Sequence, residues 1–110
     1  MTREEEDKIN TLLSNLWERN LPTLRERLDI LDRTASTASS GELSEALGAE
    51  ALDIAHRLAG SLGMFGYHQG TEIARQIEEI LKAPTAATLA RLPSLTRDLH
   101  QSLGKENSQS

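Results

Sequence analysis

Cysteine is absent from this chain, so neither a disulfide framework nor a thiolate metal site is available to it. That usage suits a reducing, cytoplasmic setting. Aromatic residues are almost absent as well. Trp17, Phe65 and Tyr67 are the whole complement, too few to build stacking platforms for bases. Basic charge is in deficit: the formal net charge is -5, whereas nucleic-acid binding needs a basic footprint. No apolar run approaches the roughly 18–20 residues of a membrane span. The opening Thr2-Arg3-Glu4-Glu5-Glu6-Asp7 is too acidic and polar for a signal peptide. Neither nucleic acid nor a membrane is therefore expected as a partner. Period-two alternation is lacking and β-branched residues are sparse, which leaves little material for a sheet.

What the chain does have is helical periodicity. With 110 residues, 37% hydrophobic and 26% charged, residues 1–110 suit one soluble domain with one core. Thr2 and Glu5 form a capping box ahead of Ile9, Leu12, Leu13, Leu16 and Trp17. Asn20-Leu21-Pro22 marks a predicted boundary, because proline suits a first helical turn and disfavours helix before it. A second helix carries Leu24, Leu28 and Leu31 and fades into a small, polar stretch from Thr34 to Gly41 that reads as a loop. Ser39 and Glu42 offer a capping box for a long central helix that Gly66 stops. A further helix is predicted from about Tyr67 to Lys82, ended by Pro84. A last segment holds Leu89, Leu92, Leu95, Leu99 and Leu103, with a break or kink at Pro93 and a frayed tail over 104–110. The expected architecture is all-α: an antiparallel four-helix bundle with an accessory helical segment.

The central helix carries the chemistry. Leu43, Leu47, Ile54, Leu58, Leu62 and Phe65 fall on one stripe, and His56 points to the other side. Its neighbours there are Ala49, Leu52, Ala59, Gly60 and Gly63. Each helical glycine costs on the order of 1 kcal/mol relative to alanine. Glycines beside an outward imidazole therefore point to a surface that another molecule approaches closely. An ordinary surface histidine is the plainer reading, but it leaves Ala59, Gly60 and Gly63 unexplained.

Other chemistries find little support. His56, His68 and His100 lack metal-ligand spacing, and nothing marks a Ser–His–acid set. Gly60, Gly63 and Gly66 lack both a preceding strand and a Gly-Lys-Ser/Thr ending, so phosphate-cradling loops are ruled out. The neutral imidazole of an exposed histidine is nonetheless a competent nucleophile.

The run Ala55-His56-x-Leu58-x-Gly60-Ser61, followed by Gly66, resembles the signature of histidine-containing phosphotransfer (HPt) domains. The helix order and the segment Ile73-Ala74-Arg75-Gln76-Ile77-Glu78 extend the likeness along the chain. The resemblance implies a helical bundle that carries a phosphoryl group on Nε2 of His56, as a phosphocarrier and not an autonomous enzyme. The implied partners are a response-regulator receiver domain and a hybrid sensor kinase, and the receiver is expected to bring magnesium. No cofactor or metal of its own is expected, and the chain is expected to be a monomer. Gly60 matches the glycine that lets a receiver approach; Leu52, Ala59, Gly63 and Met64 are candidates for the same docking face. Ser61 matches a small polar residue but lies about 140° from His56 on the helix, which turns it inward. One position departs from the family pattern. Most members carry lysine three residues after the histidine, and here that residue is Ala59. Arg57 and Arg75 are candidate substitutes, and Glu78 is a candidate to orient the imidazole. The rival to the whole reading is a non-catalytic helical interaction module whose small-residue face packs against another helix.

Overall fold

The first helix is longer than its sequence suggests. The computed structural model describes residues 2–107, the side chains of 105–107 excepted. In it α1 runs unbroken over Arg3–Ser39, straight through Pro22. Proline in a helix interior removes one hydrogen bond and costs about 3 kcal/mol. Trp17 on one side of Pro22 and Leu24, Leu28, Leu31 and Ala35 on the other are all buried in the same core, which favours a single axis. The loop expected after Leu31 is helical as well. Thr34 donates its hydroxyl to the Ile30 carbonyl at 2.7 Å and Thr37 to Thr34 at 3.1 Å, so these small polar residues bond back into the helix.

The remaining helices are α2 (Glu45–Met64), α3 (His68–Lys82), α4 (Ala86–Leu89) and α5 (Leu92–Asn107). The N-cap of α2 is Ser44, which accepts from the Leu47 N–H at 3.1 Å, and not the expected Ser39–Glu42 box. Thr2 caps α1 as expected, and its hydroxyl also donates to Glu5 Oε1 at 2.9 Å. At the end of α2, Gly66 takes φ +83°. Tyr67 N–H then reaches Leu62 O at 2.9 Å and Gly66 N–H reaches Gly63 O at 3.2 Å, which is a Schellman stop. Pro93 lies in the first turn of α5, where no N–H is needed, so the expected break falls just before it, between α4 and α5.

Four long helices, α1, α2, α3 and α5, thus make an all-α bundle, and α4 is the accessory segment. Leu31, Leu58, Leu62, Ile77, Leu92 and Leu99 form its most deeply buried layer. The most intimate pairing is α2 with α3, where Ala51, Ala55 and Ala74 are fully buried and small enough to let the backbones close in. Trp17 sits edge-on to Phe65 at 5.1 Å and stacks on Tyr67 at 4.5 Å, which fastens α1 to the α2–α3 turn. Of the tail expected to fray over 104–110, residues 104–107 are assigned to α5. Ser102 and Leu103 are buried and hold the end of α5 to the bundle, and residues 108–110 lie outside the described set.

The long dimension, 53 Å against 21 and 20 Å, belongs to α1. Its early turns stand clear of the bundle and leave Ile9, Leu12 and Leu16 exposed. No helix among the described residues is long and apolar enough to cross a membrane.

Candidate functional site

His56 sits midway along α2, at the edge of the face that packs on α3. Its side chain is 74% exposed, yet it is not free to turn. Nδ1 lies 2.7 Å from Oε2 of Glu78, which reaches across from α3 and is itself only 13% exposed. A carboxylate can only accept, so this contact fixes the tautomer with the proton on Nδ1. The lone pair is then on Nε2, on the side of the ring turned to solvent. The structure thus brings Glu78, one of the candidates named from the sequence, into contact with the imidazole.

The ground beside the imidazole is open. A Cβ built at Gly60 would meet no atom within 4 Å, and one at Gly63 would meet only Thr71 at an ordinary 3.7 Å. Gly70 is the opposite case: there a Cβ would come within 3.2 Å of Leu62 and 3.3 Å of Leu103. The packing is therefore tight at position 70, where Leu62 and Leu103 would have to give way, and the fold has no steric need of glycine at 60. Met64 is 63% exposed at the end of the same helix. Leu52 is half-buried against the core and walls a hollow of about 460 Å³ with Ala49, Leu43, Leu81 and Pro84.

Ala59 does not belong to this open face. It is 6% exposed and packs in the core, which corrects its expected docking role. The stripe drawn through the large apolar residues placed the centre of the buried face too far away. Ala51 and Ala55, both at 0% exposure, pull that centre round toward Ala59. Ser61 is half-buried, as its helical angle requires.

The cations divide unevenly. Arg57 is held by Asp53 on its own helix, Nε to Oδ2 at 2.9 Å, with both side chains well exposed. Arg75 lines a shallow hollow with Gln76, Glu79, Thr88 and Arg91 on the flank of α3 turned toward α4, and it makes no ion pair with Glu78. Neither arginine is therefore brought to His56. Sequence reasoning passed over Lys82, whose Nζ lies 3.7 Å from the same Glu78 oxygen that holds His56. Its spacing of four residues from Glu78 was the available signal. Lys82 also reaches Glu79 Oε1 at 3.5 Å.

The other histidines stand apart. His100 bridges α5 to α1 through Asp32 at 2.9 Å, and His68 opens α3. Among the described residues no three His, Cys, Asp or Glu side chains gather as a metal site.

Comparison with known proteins accords with the helical-bundle fold. A family model described as the Hpt domain matches residues 15–105. Protein RcaC of Microchaete diplosiphon is 29% identical over 75 residues. That match covers 68% of this chain but only 12% of RcaC. No solved structure matches.

Proposed function

Because this chain belongs to the Hpt domain family, a family of histidine phosphotransfer modules in phosphorelays, we propose that His56 is its phosphoryl-accepting residue. One observation carries the assignment: an exposed imidazole whose Nδ1 is tied to a largely buried carboxylate, so that Nε2 faces outward. The open backbone at Gly60 supports it by leaving room for a partner.

In the proposed reaction, Nε2 of His56 attacks the phosphorus of an aspartyl phosphate on a receiver. The N–P bond forms as the P–O bond to the aspartate breaks, and the carboxylate leaves with the electron pair. The ring now carries positive charge, which the Nδ1–H hydrogen bond to Glu78 offsets. The next receiver reverses the step: its aspartate oxygen attacks phosphorus and Nε2 recovers its lone pair. Such transfers pass through a loose transition state, so placement and charge neutralisation supply most of the rate. Glu78 acts as a positioning residue and His56 as the nucleophile.

The receiver supplies the aspartate and, in this reading, the magnesium. Gly60, Gly63, Leu52 and Met64 form the docking face, with Met64 as an adaptable contact at its rim. The exchange is transient, so a modest interface and a monomeric carrier are expected. Donors are a hybrid sensor kinase or its receiver, and the chain is a phosphocarrier without turnover of its own.

The test is direct. Incubated with a phosphorylated receiver, the chain should gain acid-labile, base-stable phosphate, and His56→Gln should gain none while keeping its helical circular dichroism. Undiminished uptake by His56→Gln would refute the assignment. Absence of uptake from every receiver of the source organism would favour the non-catalytic interaction module instead.

A further inference from the structure

Replacing the usual lysine by Ala59 leaves α2 with no cation aimed at the phosphoryl position. Arg57 is paired with Asp53, and Arg75, one turn before Glu78, lines the hollow beside α4 and makes no ion pair with Glu78, so neither is held against the imidazole's partner. Lys82 is the cation adjoining the imidazole's own hydrogen-bond partner, 3.7 Å from Glu78 Oε2. We propose that Lys82 is the phosphoryl-stabilising cation of this domain, supplying from α3 the charge that a lysine at position 59 would supply from α2. The inference rests on His56 being the phosphoryl acceptor.

Three features of the geometry support it. The first is shared wiring: Lys82 Nζ and His56 Nδ1 converge on one carboxylate oxygen, so Glu78 links the two side chains. The second is looseness. Contacts of 3.7 and 3.5 Å to Glu78 and Glu79 are longer than tight charge-assisted hydrogen bonds, and the side chain is 53% exposed, so the ammonium can change partners. The third is the change of charge on phosphorylation. Before it, Glu78 is an anion facing a neutral ring, and Lys82 balances it. Once Nε2 is phosphorylated, the cationic ring satisfies Glu78, and a phosphoryl dianion appears beside it. The attraction on Lys82 then shifts from carboxylate to phosphoryl oxygens, and its flexible four-carbon stem lets the ammonium follow. The last turn of a helix, where Lys82 sits, also favours a cation when no phosphate is present.

The experiment loads the whole chain with phosphoramidate, a small donor that needs no docking face. Nε2 attacks phosphorus, the donor's P–N bond breaks, and the amine leaves as ammonia. Initial loading rates are followed by phosphate-affinity gel across a range of donor concentrations, so that KM and kcat separate. Lys82→Gln should load about three- to fivefold more slowly, the upper part of the range for a half-exposed charge contact. Lys82→Arg should retain most of the rate, and Ala59→Lys added to Lys82→Gln should restore it to within about twofold, as a structural role would not allow. Arg91→Gln, which removes a charge bonded to Gln76 on the other flank of α3, should load normally. If His56 of the unaltered chain takes no phosphate, the phosphocarrier reading fails and the inference with it. If it loads normally and Lys82→Gln matches it, the inference alone is overturned. It is likewise overturned if Lys82→Gln is slow and neither cation restores it. Should the Ala59→Lys variant not fold, the Lys82→Arg comparison decides.

Discussion

Gly60→Ala should make this protein more stable and a poorer partner at once. Position 60 lies on the exposed side of α2, and a Cβ there meets nothing within 4 Å. The methyl therefore costs no packing, and the helix gains the ordinary advantage of alanine over glycine, about 0.5–1 kcal/mol. Unfolding entropy of about 2.1 cal/mol/K per residue translates that gain into a Tm rise of roughly 2–4 °C for a chain of this length. Thermal melts followed by circular dichroism resolve such a shift. Gly70→Ala is the internal control. Its Cβ would sit 3.2 Å from Leu62 and 3.3 Å from Leu103, so both leucines must shift and its Tm should lie below that of Gly60→Ala. Transfer should move the other way from stability at position 60. A bulkier Gly60→Leu keeps the helix but overfills the space left for a receiver, at about 1–3 kcal/mol, or roughly 5- to 150-fold in transfer rate. Loading from phosphoramidate should barely change, because a small donor needs no flat face. A lower Tm for Gly60→Ala would show that the glycine serves the fold and refute the reasoning. Normal receiver transfer by Gly60→Leu would refute the docking face.

Other expectations follow from the same geometry. Glu78→Ala removes the Nδ1 acceptor and should slow phosphoramidate loading about tenfold, at the lower end for a charge-assisted hydrogen bond; ¹⁵N spectra of His56 should show the Nδ1–H tautomer losing population, and unchanged spectra would sink the positioning role. Pro22→Ala restores a hydrogen bond inside a continuous helix and should stabilise the fold by about 2 kcal/mol, read from urea melts; a loss of stability would mean that α1 is interrupted there. Trp17→Ala empties the aromatic corner and should cost about 3–5 kcal/mol, or abolish cooperative unfolding, whereas Leu12→Ala on the exposed part of α1 should stay within about 0.5 kcal/mol of the parent.

Much of this was legible in the sequence because helical periodicity and stop signals are local. Lys82 and Pro84 ended α3 where expected, and Gly66 ended α2 because only a residue at ease with positive φ closes that turn. His56 and Gly60 stood out because glycine inside a helix runs against local preference, and such conflicts mark places where something outside the helix decides. What stayed hidden depends on tertiary context. Pro22 signals a boundary locally, and only the common burial of Trp17 and Leu24 shows one axis running through it. Thr34 and Ala35 look like loop material until their burial against the bundle is seen. Ala59 reads as surface on a wheel weighted by large residues, because the closeness of α2 and α3 draws alanines inward. Lys82 resembles an ordinary C-terminal helix cation, and nothing before the α2–α3 pairing reveals that its carboxylate partner also holds His56.

The aromatic corner has a practical consequence. The chain has one tryptophan, and its indole lies against both other aromatic rings of the protein. Its emission therefore comes from one address, the place where α1 meets the α2–α3 turn. Phe65, one of the two rings, directly follows Met64 at the edge of the surface assigned to the receiver. A receiver without tryptophan that settles on that edge should perturb the signal without any label. The protein thus carries its own optical gauge of docking, readable on the timescale of a single encounter.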